Sequence, residues 1–485
     1  MIRPIHPLVR LDRKYVWHPF TQMKEWCARE PILILSGQGA LLRDHRGREY
    51  LDANASIWTN LHGHRHPAID AALKRQIGRI AHCSALGLAN EPASRVAAEL
   101  IRLARSGWRR APAPRTRPGP SLAKVFYSDD GSTALEVALK MAYEHCRRSG
   151  HSKQPRFLSP SGAYHGDTIG AVSLGHIDLF HAAYRGLLFR TDTVMAPYCY
   201  RCPHNRARPD RLDARQHRAC RWECTDRLEA MLATARRRGR PYGALVVEPL
   251  VQGAAGMIPQ PAGWLARAAS LARAHDALLV ADEVMTGFGR TGPCFACHQE
   301  RVRPDFMAVS KGLSGGYLPL GATLATRTIF NSFLGEYREF KTFFHGHSYT
   351  ANPLACAAAL ASIRLLESAA SIRHRQRLDQ ILREESAPLW TLPAVGDVRQ
   401  IGLILGVELV RNWRTREPWP LEARAGARVC AAMARNGVLT RPIGNVLVIM
   451  PPYAASADQV RRMMAVLRHA IAQSFPSRYN SPGSL

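Results

Sequence analysis

The chain has 485 residues, 46% of them hydrophobic, and 66 Lys and Arg against 38 Asp and Glu give a formal charge of +28. That length exceeds one small core, and that apolar content excludes a largely disordered protein. No apolar run approaches the roughly 20 residues of a membrane span and the start carries no apolar signal core, so a cytoplasmic protein with no membrane partner is expected.

The charge ordinarily points to nucleic acid. Only eight of the basic residues are Lys, however, and the 58 Arg are scattered apart from clusters such as Arg236-Arg237-Arg238. A basic nucleic-acid-binding protein stands as a remote alternative, and no nucleic-acid partner is expected.

Residues 16–26, VWHPFTQMKEW, put two Trp, a Phe, a Met and a Pro into an arm of the kind that usually frays. The arm is expected to dock on a core, through Trp17 and Trp26, or to reach into a site. Residues 31–53 alternate apolar and polar and are broken by Gly37, Gly39 and Gly47, which predicts a strand hairpin. Helical spacing of Ala, Leu and Glu predicts helices over 68–82 and 133–147. Between them, the Pro- and Arg-rich stretch 104–123 reads as an exposed insertion loop. Short apolar runs at 124–128, 244–249, 277–284 and 305–310 lack alternation and suit strands buried on both faces. Strands alternating with helices give an α/β fold with a mostly parallel sheet and helices on both faces. From about residue 354 the pattern turns to long Ala/Leu/Arg helices, then DVRQIGLILGVELVR (397–411) and VLTRPIGNVLVIMPP (438–452), which predicts a smaller α+β domain.

Cys199-x-x-Cys202 and Cys220-x-x-x-Cys224 have the spacing of a four-thiolate zinc site. The Arg- and Pro-containing stretch between them lacks a compact knuckle pattern. Reduced structural thiols, with no metal site, are expected.

Four positions carry chemistry. Asp282 and Glu283 follow a buried run, at the carboxyl edge where ligands bind in open α/β sheets. Lys311 follows another such run and precedes Gly315-Gly316, a place for an amine nucleophile. Ser128 to Thr133 join a strand to a helix, offering N–H groups and hydroxyls to an anion, or only a helix cap. Tyr164 sits in the Gly-bounded turn 162–167, as a stacking platform for a planar ring or as packing. Each alone reads equally as ordinary structure. Together they ask for one ligand with an aromatic ring, a phosphate, a ring nitrogen for an acid and an aldehyde for a lysine. Pyridoxal 5'-phosphate (PLP) meets those demands.

The stretches ADEVMTGFGRTG (281–292), SKGLSGG (310–316), YHGDT (164–168) and HGHSYTANP (345–353) resemble the class III aminotransferases, a fold-type I PLP family. The resemblance covers roughly residues 15–475. It implies a large PLP-binding domain over 66–341, an N-terminal segment 1–65 that contributes to a small domain and to the active-site wall, and a C-terminal small domain over 342–485. It implies Lys311 as the catalytic residue that carries PLP and shuttles the proton, Asp282 on the pyridinium nitrogen and Tyr164 stacked on the ring. Gly131 and Ser132 are implied at the phosphate. Gly346, His347 and Ser348 would reach the substrate and the phosphate of the opposite subunit, which implies a homodimer with shared sites.

Within the family, WHPFTQM (17–23), HGHRHP (62–67) and TRPIGNVLVIMPPY (440–453) resemble the biotin-synthesis branch, which aminates 8-amino-7-oxononanoate by a ping-pong route. Phe20, Trp58, Tyr164, Gly346 and Arg441 are then implied at the substrate, with Arg441 gripping its carboxylate. S-adenosylmethionine is the donor by family default. Phe20, Ile57-Trp58 and His345-Gly346-His347-Ser348 depart from what users of that donor typically carry, and PFTQMK, KTFFHGHSYT and TREPWP resemble the branch that uses lysine. The alternative within the family is an ω-aminotransferase acting on a diamine or ω-amino acid with a keto-acid acceptor.

Overall fold

The computed structural model describes residues 5–109, 120–208 and 211–476. Helices Pro7–Tyr15 and Met23–Ala28 lead into three antiparallel strands, β1 (Ile34–Gln38), β2 (Leu41–Asp44) and β3 (Glu49–Asp52). Gly39 and Gly47 turn at φ +57° and +76°, where a side chain would be strained, whereas Gly37, also expected to break the hairpin, lies inside β1 paired with Leu42.

The middle of the chain supplies β4 (Leu122–Ser128), β5 (Arg156–Pro160), β6 (Asp192–Val194) and β7 (Tyr242–Val247). A two-residue ribbon follows, β8 (Val251–Gln252) with β9 (Ile258–Pro259), then β10 (Leu278–Asp282), β11 (Phe306–Val309) and β12 (Gly321–Thr326). Apart from the ribbon these strands form one sheet in the order β4-β12-β11-β10-β7-β5-β6. Only β12 runs against the others, pairing antiparallel with β4 and β11. Strands β7, β11 and β12 are buried at every position, which is why their sequences are unbroken apolar or small runs. The two-residue period of a strand divides them between two cores. Val246, Val280 and Ala308 pack against the helix Gly131–Arg148, while Leu245, Leu279 and Met307 join the main core with Trp264 and Leu265 of the helix Trp264–Ala274. Helices thus cover both faces, as an α/β fold requires.

The C-terminal part contributes β13 (Val395–Ile401), β14 (Ile404–Asn412), β15 (Glu417–Pro418), β16 (Val438–Leu439), β17 (Pro442–Ile443) and β18 (Val446–Ile449), and all but β16 form a separate sheet. The antiparallel order is β13-β14-β18-β17, with β15 on β14, and β16 instead pairs parallel with β3 and ties the N-terminal hairpin to this region.

The expected strands 124–128, 244–249, 277–284 and 305–310 are found with ends shifted by at most two residues, and the helix and loop boundaries differ as well. The first helix covers Pro67–Ile77 and stops at Gly78, not at residue 82. The second starts at Gly131 because Asp130 caps it, Oδ1 accepting from Thr133 N at 2.8 Å while Asp130 N donates to Thr133 Oγ1 at 3.0 Å. The expected loop 104–123 is shorter at both ends: the helix Glu91–Arg109 runs into it and β4 begins at Leu122, while residues 110–119 lie outside the described residues. Among the described residues no single helix is long and apolar enough to cross a membrane.

Candidate functional site

Segments from the N-terminal arm to Gly444 converge beyond the carboxyl ends of the parallel strands and enclose a cavity of about 1140 Å³. Asp282 ends β10, and Lys311 opens the turn after the neighbouring β11, so adjacent parallel strands deliver both to one floor. Gly131 and Ser132 enter from the helix after β4, and Tyr164 from the loop after β5. Phe20, Trp58 and Arg441 complete the walls. The N-terminal arm therefore reaches the site through Pro19 and Phe20, while Trp17 is 87% exposed and does not dock. Trp26 is anchored instead, its Nε1 donating to Asp12 Oδ1 at 2.8 Å.

Asp282 is buried. Its Oδ1 accepts from Val284 N at 3.0 Å and its Oδ2 lies 2.7 Å from His165 Nδ1, which therefore donates to it. Burial alone would lower the His165 pKa, but the hydrogen bond and charge of Asp282 raise it above the usual imidazole range. Beside this pair Glu248 is held by Gly253 N at 2.7 Å and Tyr164 N at 3.2 Å. Burial, with the charge of Asp282 adding to it against the opposing His165, pushes Glu248 up to about 7. Burial likewise lowers the pKa of Lys311, against the pull of Asp282 and Glu248, which favours its neutral amine. Lys311 also has φ +44°, a left-handed conformation that a non-glycine residue adopts at a cost of about 1–3 kcal/mol, and such strain gathers at functional sites.

Trp58 faces this lysine, with Lys311 Nζ 4.8 Å from its ring centroid. It stands on a left-handed turn in which Ala55, Ser56, Ile57 and Trp58 have φ +43°, +47°, +61° and +67°. The Asp52 carboxylate locks that turn by accepting from Ser56 N at 3.1 Å and Ser56 Oγ at 2.9 Å, and Trp58 Nε1 donates to Asn54 Oδ1 at 2.8 Å. Phe20 meets Phe180 edge to face at 5.4 Å, and Phe180 meets Tyr164 at 6.4 Å, so the arm extends an aromatic wall that starts at the turn after β5. Arg441 Nη2 donates to the Phe20 carbonyl at 2.7 Å.

The corner of the cavity at the start of the helix Gly131–Arg148 is shaped by an absent side chain. A Cβ on Gly131 would lie 2.6 Å from Val284 Cγ1, so only glycine lets the helix start sit this close to β10. The first N–H groups of a helix have no intrahelical acceptor and favour an anion. The sequence-predicted residues Gly131, Ser132, Tyr164, Asp282, Lys311, Phe20, Trp58 and Arg441 are thus brought together. Gly346, His347 and Ser348 are not: they lie outside this cavity, with His347 Nδ1 2.9 Å from Asp129 at its edge.

Sequence reasoning gave no role to His165, Glu248 or Phe180. His165 adjoins Tyr164 and Glu248 ends the run ALVVE, so each bore a weak signal, but neither neighbour reveals the bond from His165 to Asp282 or the charges that act on Glu248. All eleven cysteines are free thiols. Cys199, Cys202, Cys220 and Cys224 come near one another, and burial followed by these neighbouring thiols pushes Cys199 up to about 12. Among the described residues no group of three or more His, Cys, Asp or Glu is arranged to hold a metal ion.

The comparisons agree with one another. A family model for class-III aminotransferases matches residues 23–471. The adenosylmethionine-8-amino-7-oxononanoate aminotransferase of Geobacter sulfurreducens is 49% identical over 460 residues, which are 95% of this chain and 96% of that protein. The crystal structure of the enzyme of that name from Methanocaldococcus jannaschii superposes with a TM-score of 0.85 at 36% identity, covering 96% of this chain and 98% of that one. A PLP-bound amine transaminase from an uncultivated Pseudomonas species gives 0.84 at 30% identity, covering 95% and 99%.

Proposed function

The chain belongs to the class-III aminotransferases, a PLP-dependent family, and on that premise we propose that it carries out the transamination step of biotin synthesis. An amino group passes from a donor, S-adenosylmethionine or lysine, to the ketone of 8-amino-7-oxononanoate to give 7,8-diaminononanoate. The meeting of Lys311 and Asp282 in one cavity, with Arg441 at its wall, carries this reading.

The residues fit the cofactor. An amine of lowered pKa, a buried carboxylate and a glycine-lined helix start match its aldehyde, its ring nitrogen and its phosphate. Lys311 would carry it, Asp282 would pair with the ring nitrogen, Tyr164 would cover the ring, and Gly131 with Ser132 would hold the phosphate. When bound, PLP supplies an electron-withdrawing ring that makes the C–H bond beside the donated amine acidic. Lys311, once released and neutral, removes that proton from carbon and later returns one. His165 fixes the orientation of Asp282 and neutralises part of its charge. Arg441 offers two parallel N–H donors to the oxononanoate carboxylate, replacing its present bond to the Phe20 carbonyl.

The working unit is a homodimer. Two observations support it: His347 and Ser348 lie outside their own chain's cavity, and the neighbouring Tyr337, Phe340, Phe344 and Tyr349 are 90%, 65%, 71% and 63% exposed, an apolar surface suited to a second copy. The second reading, an ω-aminotransferase of diamines or ω-amino acids, is favoured by the likeness to the amine transaminase.

Single-turnover spectra separate the readings. The yellow PLP form is challenged with S-adenosylmethionine, lysine and putrescine in turn, and the colourless form with 8-amino-7-oxononanoate. Bleaching by one of the first two and recovery of colour with the oxononanoate are expected. Bleaching by putrescine alone, with no recovery on the oxononanoate, would sink the biotin assignment.

A further inference from the structure

We propose that Thr168 and Glu136 are positioning residues that aim the Ser132 hydroxyl at the cofactor phosphate, an inference that rests on Gly131 and Ser132 being the phosphate seat. Ser132 and Thr168 line the cavity, and Glu136 stands one helical turn behind Ser132 on the helix Gly131–Arg148. The Glu136 Oε1 atom accepts three hydrogen bonds, from Thr168 Oγ1 at 2.6 Å, Gly170 N at 2.6 Å and Ala171 N at 3.1 Å. The two N–H donors belong to the start of the short helix Ile169–Leu174, whose first N–H groups have no partner within the helix. They fix the carboxylate whether or not the cavity is filled.

The directions of the protons follow. An ionised carboxylate only accepts, so the single hydroxyl proton of Thr168 is committed to Glu136. Thr168 N donates to Ser132 Oγ at 3.0 Å, and the two hydroxyl oxygens lie 2.7 Å apart. Thr168 therefore cannot donate its hydroxyl to Ser132, and the Ser132 proton is left free. It rests on Thr168 Oγ1 when the corner is empty and turns to a phosphate oxygen when one arrives. Two glycines make the arrangement possible. A Cβ on Gly170 would overlap the Glu136 carboxylate, and one on Gly166, at φ +116°, would overlap Ser132.

The test compares the affinity of the apo-protein for PLP with its affinity for pyridoxal, which lacks the phosphate, by absorbance titration. A misdirected hydroxyl forfeits a hydrogen bond to a charged group, so Thr168→Val and Glu136→Leu should each weaken PLP about tenfold, while leaving pyridoxal binding as in the wild type. Thr168→Ser keeps the hydroxyl and Glu136→Gln keeps an acceptor oxygen, so both should stay near the wild type. If Thr168→Val binds PLP as well as the wild type, or weakens pyridoxal equally, the positioning role is wrong. Ser132→Ala serves as the reference and should lose PLP affinity by a similar factor. A Ser132→Ala protein with unchanged PLP affinity would overturn the phosphate seat itself, whereas a weakened Ser132→Ala beside an unaffected Thr168→Val would overturn only the inference.

Discussion

Arg399→Met is expected to be among the most damaging single changes outside the cavity. The Arg399 guanidinium is 2% exposed and lies 2.8 Å from Asp397 and 2.6 Å from Glu408. It also donates to the carbonyls of Met257 at 2.9 Å and Gly256 at 2.5 Å, which fixes the ribbon β8–β9 whose tip, Ala254-Ala255, lines the cavity. After substitution Glu408 keeps Arg201 and the Tyr198 hydroxyl as partners. Asp397 keeps none among the described residues, because its other oxygen is already unpaired. Removing one member of a buried pair costs about 3–5 kcal/mol, the price of a stranded charge rather than of the contact itself. Burial already pushes Asp397 up to about 6 in the presence of Arg399, so without it the carboxyl stays protonated further into the neutral range. A group raised above its unfolded pKa loses its stabilising contribution as pH climbs through the folded value, so the deficit should be larger at about pH 8 than at about pH 6. Urea unfolding at fixed protein and cofactor concentration gives the measurement, since binding and association shift apparent stability. Arg399→Met with Asp397→Asn should recover most of the loss, because the stranded charge is gone. A single variant within about 1 kcal/mol of the wild type, or a double variant no more stable than the single, would refute the reasoning.

Glu248→Gln probes the other buried carboxyl. Its folded pKa of about 7 lies above the ordinary 4.5, so its contribution to stability is greatest in acid and lost as pH rises through 7. The melting temperature of the wild type relative to Glu248→Gln should therefore fall between about pH 5 and about pH 8; a flat difference counts against the raised value. Gly131→Ala pushes a methyl to within 2.6 Å of Val284 Cγ1. Overpacking of this kind costs about 1–3 kcal/mol, and it should appear as weaker PLP binding on titration of the apo-protein, which an unchanged dissociation constant would contradict.

Much of the site is legible in the amino-acid sequence because its parts are local. A helix start after a strand, a Gly-bounded turn and an acid or lysine after an apolar run are each set within a few residues. Motif order along the chain then suffices to gather Gly131, Tyr164, Asp282 and Lys311 at one sheet edge. The sequence alone also determined the class of fold, since unbroken apolar strands alternating with helices have few ways to bury both faces.

What only the tertiary structure decided depends on contacts between distant segments. Strand order and the reversed β12 follow from which surfaces fit, and GATLAT carries too little side chain to announce itself as a strand. The left-handed turn at Ala55–Trp58 contradicts the preference of every residue in it; the neighbouring Asp52 and Asn54 hold it, and Asp52 is in turn fixed by His64, twelve positions on and 3.1 Å away. The bond from His165 to Asp282 spans 117 positions, and that from Arg441 to Phe20 spans 421. Local sequence fixes conformation through neighbouring backbone sterics and hydrogen bonds, whereas buried charges take their final state from partners that only the folded chain brings near.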